Sequence, residues 1–73
     1  MYYIYVLKTE KGTYIGYTND LKRRFIEHAN RKPALVYYEA YGHEFDARDR
    51  EQMLKQRGQT VRRLKERIRR SLS

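Results

Sequence analysis

The chain has 73 residues, enough for one small domain and too few for a second. It has no cysteine, which excludes disulfide staples and a thiolate zinc site. It shows no signal peptide over Met1–Leu7 and no stretch apolar enough to span a bilayer, so a cytoplasmic location is expected and a membrane partner is not. The net charge of +8 is lopsided: residues 1–49 carry 8 basic and 7 acidic side chains, and residues 50–73 carry 9 and 2. The excess therefore sits near the C-terminus, and a polyanion, most commonly nucleic acid, is its natural partner.

Tyr2–Lys8 alternates and is rich in β-formers, which predicts a strand. Thr9-Glu10-Lys11-Gly12 reads as a turn, and Thr13–Thr18 as the returning strand of an antiparallel hairpin. Alternation sends Ile4 and Ile15 to one face and Tyr5, Tyr14 and Gly16 to the other. The bare Gly16 is read as leaving room for a ligand backbone. Thr18-Asn19-Asp20 is a cap-like cluster opening a helix from about Leu21 to Asn30, with Leu21, Phe25 and Ala29 as its apolar stripe. Arg31-Lys32-Pro33 ends that helix, and Leu35–Tyr41 reads as a third strand broken by Gly42. Asp46 is expected to cap a second helix to about Gln56, with Asp49 in its first turn and Gly58 as its C-terminal stop. Gln59–Leu72 is expected to be one further helix, apolar along Val61, Leu64, Ile68 and Leu72 and otherwise basic. The order ββαβαα predicts an α+β domain: a small three-stranded antiparallel sheet with flanking helices.

Arg24 and His28 are four residues apart, hence on one helical face at the border of the apolar stripe. Taken singly, a surface ion pair for Arg24 and a satisfied boundary position for His28 are the ordinary readings. Lys22 and Arg23 face elsewhere as solvated charge. Glu51 falls on the same face as Ala47, Leu54 and Gly58, and a carboxylate there must be paired, protonated or bound to a cation. Pairing with an arginine such as Arg24 is one reading; holding a divalent ion is the other. Tyr2, Tyr3, Tyr17, Tyr37, Tyr38 and Tyr41 read as sheet packing, and His43 as a loop residue without a partner.

In order along the chain, Tyr3-Ile4-Tyr5, Tyr14-Ile15-Gly16, Asp20-Leu21-Lys22-Arg23-Arg24, His28, Leu35-Val36-Tyr37-Tyr38-Glu39 and Arg50-Glu51-Gln52-Met53-Leu54-Lys55 resemble the GIY-YIG nuclease superfamily, more closely its small standalone bacterial members. The likeness spans about residues 2–57. Residues 1–57 then read as a catalytic-type core and 58–73 as a basic C-terminal helix, within one domain over 1–73. Tyr3 stands where the superfamily name has glycine. The connection from His28 to Leu35 is short and lacks the Gly- and Thr-containing segment of many relatives.

The resemblance implies an endonuclease that hydrolyses phosphodiester bonds. Tyr5 and Tyr14 would line the site, one of them activating water. Arg24 would hold the scissile phosphate, His28 would assist as proton shuttle, and Glu51 would ligate one Mg²⁺ or Mn²⁺. Positive charge from Arg24 and the metal is expected to lower the phenol that activates water from its ordinary value near 10. Lys22, Arg31, Lys32, Arg62, Arg63, Lys65, Arg67, Arg69 and Arg70 are expected to contact nucleic acid, DNA rather than RNA, by its phosphates. Selectivity would be for structure rather than sequence, or come from a protein partner. The competing reading is a non-catalytic basic nucleic-acid-binding module of the same fold. A membrane-surface role for the last helix ranks behind both, because its apolar stripe is narrow and lacks aromatics.

Overall fold

A computed structural model describes residues 1–73, the side chain of Arg31 apart. Strands β1 (Tyr2–Thr9), β2 (Gly12–Thr18) and β3 (Ala34–Tyr41) are joined by helix α1 (Leu21–Glu27) and a 3₁₀ turn at Ala29–Arg31, and followed by α2 (Glu44–Gln56), α3 (Gly58–Arg67) and α4 (Arg69–Leu72). The sheet is antiparallel in the order β2-β1-β3, so β1 is central. That explains its composition: Ile4, Tyr5, Val6 and Leu7 are all buried, because both faces of the central strand are covered.

The hairpin register pairs Ile4 with Tyr17 and Val6 with Ile15 on one face, and Tyr5 with Gly16 and Leu7 with Tyr14 on the other. The first face carries the apolar core. Ile4 and Val6 pack with Ala47 and Leu54 of α2, Leu64 of α3 and Ile68, with Val61 and Leu72 at the margin. So small a core leaves little reserve: truncating Leu54 to Ala would cost about 2–5 kcal/mol, against about 5–15 kcal/mol for a whole domain.

A β-bulge between Val6 and Leu7 decides what the second face looks like. Val6 pairs with Tyr37 but Leu7 pairs with Leu35, so Val36 is the extra residue. Tyr41, Glu39 and Tyr37 alternate onto the core face, and the bulge then turns Leu35 to the α1 face. There Leu35 meets Leu21, Phe25 and Ile26 along an open apolar groove.

The helix boundaries depart from the sequence reading in four places. Helix α1 stops at Glu27 rather than Asn30; His28 is its C-cap, and the chain leaves through the 3₁₀ turn and Lys32 in the left-handed region at φ 51°. Its stripe is not core either, since Phe25 is 39% exposed and Ala29 is on the surface. Helix α2 begins at Glu44, capped by His43, whose Nδ1 accepts from the Phe45 N–H at 3.1 Å; Asp46 and Glu44, not Asp49, occupy its first turn. Gly58 is no C-terminal stop: Arg57, extended at φ −115° and ψ 99°, makes the corner, and Gly58 opens α3. The last helix breaks at Ile68, whose side chain is kept in the core while α4 restarts at Arg69.

Candidate functional site

The second sheet face gathers Tyr5, Tyr14, Arg24 and His28. Asp20 makes this possible: its side chain accepts from the Arg23 N–H at 3.0 Å, and Thr18 braces it through the Asp20 N–H at 3.0 Å. This cap starts α1 directly after β2 and sets Arg24, one turn in, over the tyrosines.

Tyr5 is buried, and its phenol oxygen accepts from Arg24 Nε at 2.9 Å. Arg24 Nη1 donates to Glu27 at 3.2 Å, so two edges of the guanidinium are fixed while the side chain stays 38% exposed. The bond to Tyr5 is the main reason the guanidinium is held even more firmly protonated than usual. For Tyr5 the balance goes the other way. Burial pushes its phenol above 10, and the hydrogen bond and charge of Arg24 offset that only in part. The lowering expected from Arg24 is present, but burial outweighs it and the net direction is upward, because the ring lies inside the fold rather than at the groove wall.

Gly16 has a different purpose from the one expected. A Cβ built there would collide with Tyr5 Oη, lie 2.6 Å from Tyr5 Cζ and 3.1 Å from Tyr14 Cε1. The space that glycine leaves is taken by the Tyr5 phenol on its way to Arg24, not left open to a ligand. Tyr14 stacks on Tyr5 with ring centroids 6.2 Å apart and remains partly exposed. His28 closes the cluster, 4.8 Å from the Tyr14 centroid and 8% exposed. Its Nε2 is buried with no hydrogen-bond partner among the described residues. A buried orphan nitrogen is costly.

Glu51 does not pair with Arg24. Its Oε2 binds Lys55 Nζ at 3.1 Å, one turn along α2, and its side chain is 20% exposed. Lys55 in turn lowers the Tyr5 phenol slightly by its charge, which links the Glu51–Lys55 pair electrostatically to the tyrosine face. Among the described residues no three His, Asp or Glu side chains come together. A divalent ion would thus have Glu51 as its one carboxylate, with water and phosphate oxygens for the rest. That donor set suits Mg²⁺ or Mn²⁺.

Beside Arg24 runs a polar groove of about 410 Å³, lined among others by Tyr17, Asn19, Arg23, Arg24 and Arg48. Arg48 lies 4.4 Å over the Tyr17 ring and is fixed by Glu44 at 2.8 Å. Arg23, expected to be remote, shares this groove, and Tyr17 has more than a packing role. Lys32 pairs with Glu10 at 3.7 Å but stays exposed, as does Lys22; the side chain of Arg31 lies outside the described residues.

One polar cluster was missed altogether. Glu39 accepts from Tyr37 at 2.7 Å, from Tyr41 at 2.6 Å and from both Nε and Nη2 of Arg50 at 2.9 and 3.0 Å. Burial raises the Glu39 carboxyl, but Arg50 and the two phenols outweigh it and hold it below its ordinary value. Alternation in Tyr37-Tyr38-Glu39-Ala40-Tyr41 already places a carboxylate between two phenols on one face; only the partner on α2 was hidden.

The description of the GIY-YIG catalytic domain, a nuclease family, matches residues 1–65 of the chain. No curated protein and no solved structure matches it. No helix among the described residues is long and apolar enough to cross a membrane.

Proposed function

The chain belongs to the GIY-YIG family, and from that premise we propose that it is a metal-dependent endonuclease acting on DNA, selective for structure rather than sequence. The observation that supports this most is Arg24: a guanidinium fixed on two edges, yet over a third exposed, at the lip of a polar groove. A phosphodiester repels nucleophiles by its charge, and a preset guanidinium offsets the charge that grows on its oxygens as the bond is cleaved. Fixing Nε and Nη1 in advance removes the orienting cost at the moment of reaction. A lysine has no comparable fork.

The two tyrosines divide the work. Tyr5, buried and with its phenol raised, holds Arg24 and keeps its proton. Tyr14, at the surface of the cluster, faces the water that attacks. His28 lies against Tyr14 with Nε2 unpaired, the position for a group that takes a proton passed from the water through the phenol. Glu51 would hold Mg²⁺ or Mn²⁺, which supplies electrophilic charge at the phosphate and leaving oxygens. Lys55 orients the Glu51 carboxylate. Recognition would rest on backbone charge and shape. One such site makes one nick; a double-strand break requires two visits or two copies.

A second reading, a binding module without chemistry, draws on the Glu51–Lys55 pair at 3.1 Å, which already satisfies part of the carboxylate. Labelled branched and linear DNA, incubated with and without Mn²⁺, separates the two. Nicking that needs Mn²⁺ and disappears in Glu51→Ala is the expected result. Salt-dependent binding with no cleavage on any substrate would favour the module.

A further inference from the structure

We propose that Arg50, Arg63, Arg67 and Thr60 form a second, preset site between α2 and α3 that takes one backbone phosphate of a nucleic-acid strand. The inference rests on the reading of nucleic acid as substrate but not on cleavage. The pocket has a volume of about 270 Å³, with Leu64 and Met53 completing its lining. Arg63 and Arg67 are one turn apart on α3 and face the same way. Arg50 comes across from α2.

Three guanidiniums around one pocket repel each other, and the charge is poorly balanced. Glu39 is the carboxylate bound to Arg50, with both its oxygens engaged. Among the described residues neither Arg63 nor Arg67 forms an ion pair, and Glu66, beside them on α3, forms none either. An anion in the pocket relieves this repulsion, and the partly apolar lining strengthens the attraction relative to open water. The forks of Arg63 and Arg67 match phosphate oxygens in pairs, Arg50 keeps Nη1 as a donor because Glu39 takes its Nε and Nη2, and the Thr60 hydroxyl adds a neutral donor. The Glu39 bidentate grip fixes Arg50 before anything binds.

A strand, rather than a free anion, is indicated by what adjoins the pocket. Arg67 also lines a second groove, of about 450 Å³, with Glu66, Ile68, Arg69, Arg70 and Ser71, three arginines against one carboxylate. The two share Arg67, so successive phosphates of one chain can occupy successive positions. Neither contains a residue of the groove beside Arg24. The pocket belongs to the helical layer on the Ile4/Val6 face, across the sheet from Tyr5 and Tyr14. It grips the strand away from the reacting phosphate.

The test is a nuclear magnetic resonance titration of the arginine Nε–H signals in the full chain, without divalent metal, so that a protein unable to cleave still reports. Sodium phosphate should shift Arg50, Arg63 and Arg67 but leave Arg57, which lines neither groove, in place, with sodium chloride at equal ionic strength as control. A short DNA duplex should shift the same three signals, and phosphate should compete with it. Arg63→Gln/Arg67→Gln should lose the phosphate response and bind duplex about tenfold more weakly than the charge-matched Lys8→Gln/Lys11→Gln, whose lysines are exposed and outside both grooves, both retaining the wild-type amide spectrum. Equal shifts with chloride, or equal losses in the two double variants, would overturn the site. A response to phosphate but not to duplex would overturn its assignment to a strand.

Discussion

Replacing Gly16 by alanine tests whether the glycine is there for the Tyr5 phenol. The added methyl would meet Tyr5 Oη and Cζ, the latter at 2.6 Å, and press on Tyr14 Cε1 at 3.1 Å. Tyr5 is 1% exposed and has nowhere to retreat, so the strain falls on its bond to Arg24 at 2.9 Å. Overpacking of this kind costs about 1–3 kcal/mol, and a hydrogen bond to a charged group is worth about 1.5–3 kcal/mol. A net loss of about 2 kcal/mol corresponds to a fall in Tm of about 8–16 °C for a domain of this size. Thermal and urea denaturation measure it, and nicking assays on the folded fraction should show a loss larger than the stability change explains, because Arg24 is no longer held. Gly42→Ala is the control: a Cβ there meets nothing within 4 Å. Tyr5→Phe in the Gly16→Ala background removes Oη and should recover part of the Tm while leaving activity low. If Gly16→Ala melts like the wild type and cleaves as well, the packing account of this glycine is wrong.

Three other outcomes are expected. Glu51→Gln should abolish Mn²⁺-dependent cleavage with at most a small change in Tm, since Lys55 is 54% exposed and can turn to water; unfolding of the variant, with no metal response in the wild type, would make Glu51 a structural partner only. Arg24→Lys should lose most of kcat by removing both the fork and the bond to Tyr5, whereas Arg23→Lys should change activity several times less; equal losses would mean the helix supplies bulk charge alone. Glu39 is held below its ordinary value near 4.5, so its contribution is present above that pH and is lost as pH falls through the lower folded value. Tyr41, pushed by burial and by Glu39 up to about 12, contributes stability below pH 10 that is lost between there and about 12. Urea midpoints across pH should therefore fall at both ends for the wild type, and Glu39→Gln should flatten the acid side.

Local signals were sufficient wherever the cause was local. The alternation of Tyr3-Ile4-Tyr5 and Tyr14-Ile15-Gly16 determined which face each side chain takes, since a strand has no other choice at period two. The Asp20 cap and the spacing of Arg24 and His28 determined that one helical face meets the tyrosines. The ordered motifs identified the family. What tertiary structure alone decided were matters of distance between elements. The bulge at Val36 turned Leu35 over, and no sequence period announces an inserted residue. The depth of Tyr5, rather than its neighbour Arg24, set the direction of its pKa, because desolvation depends on everything packed above it. Glu51 took Lys55 as partner in place of Arg24, and Arg50 crossed to Glu39, since ion pairs follow from where helices land on a sheet. The room beside Gly16 was visible as a missing side chain; that a phenol fills it is a fact of packing.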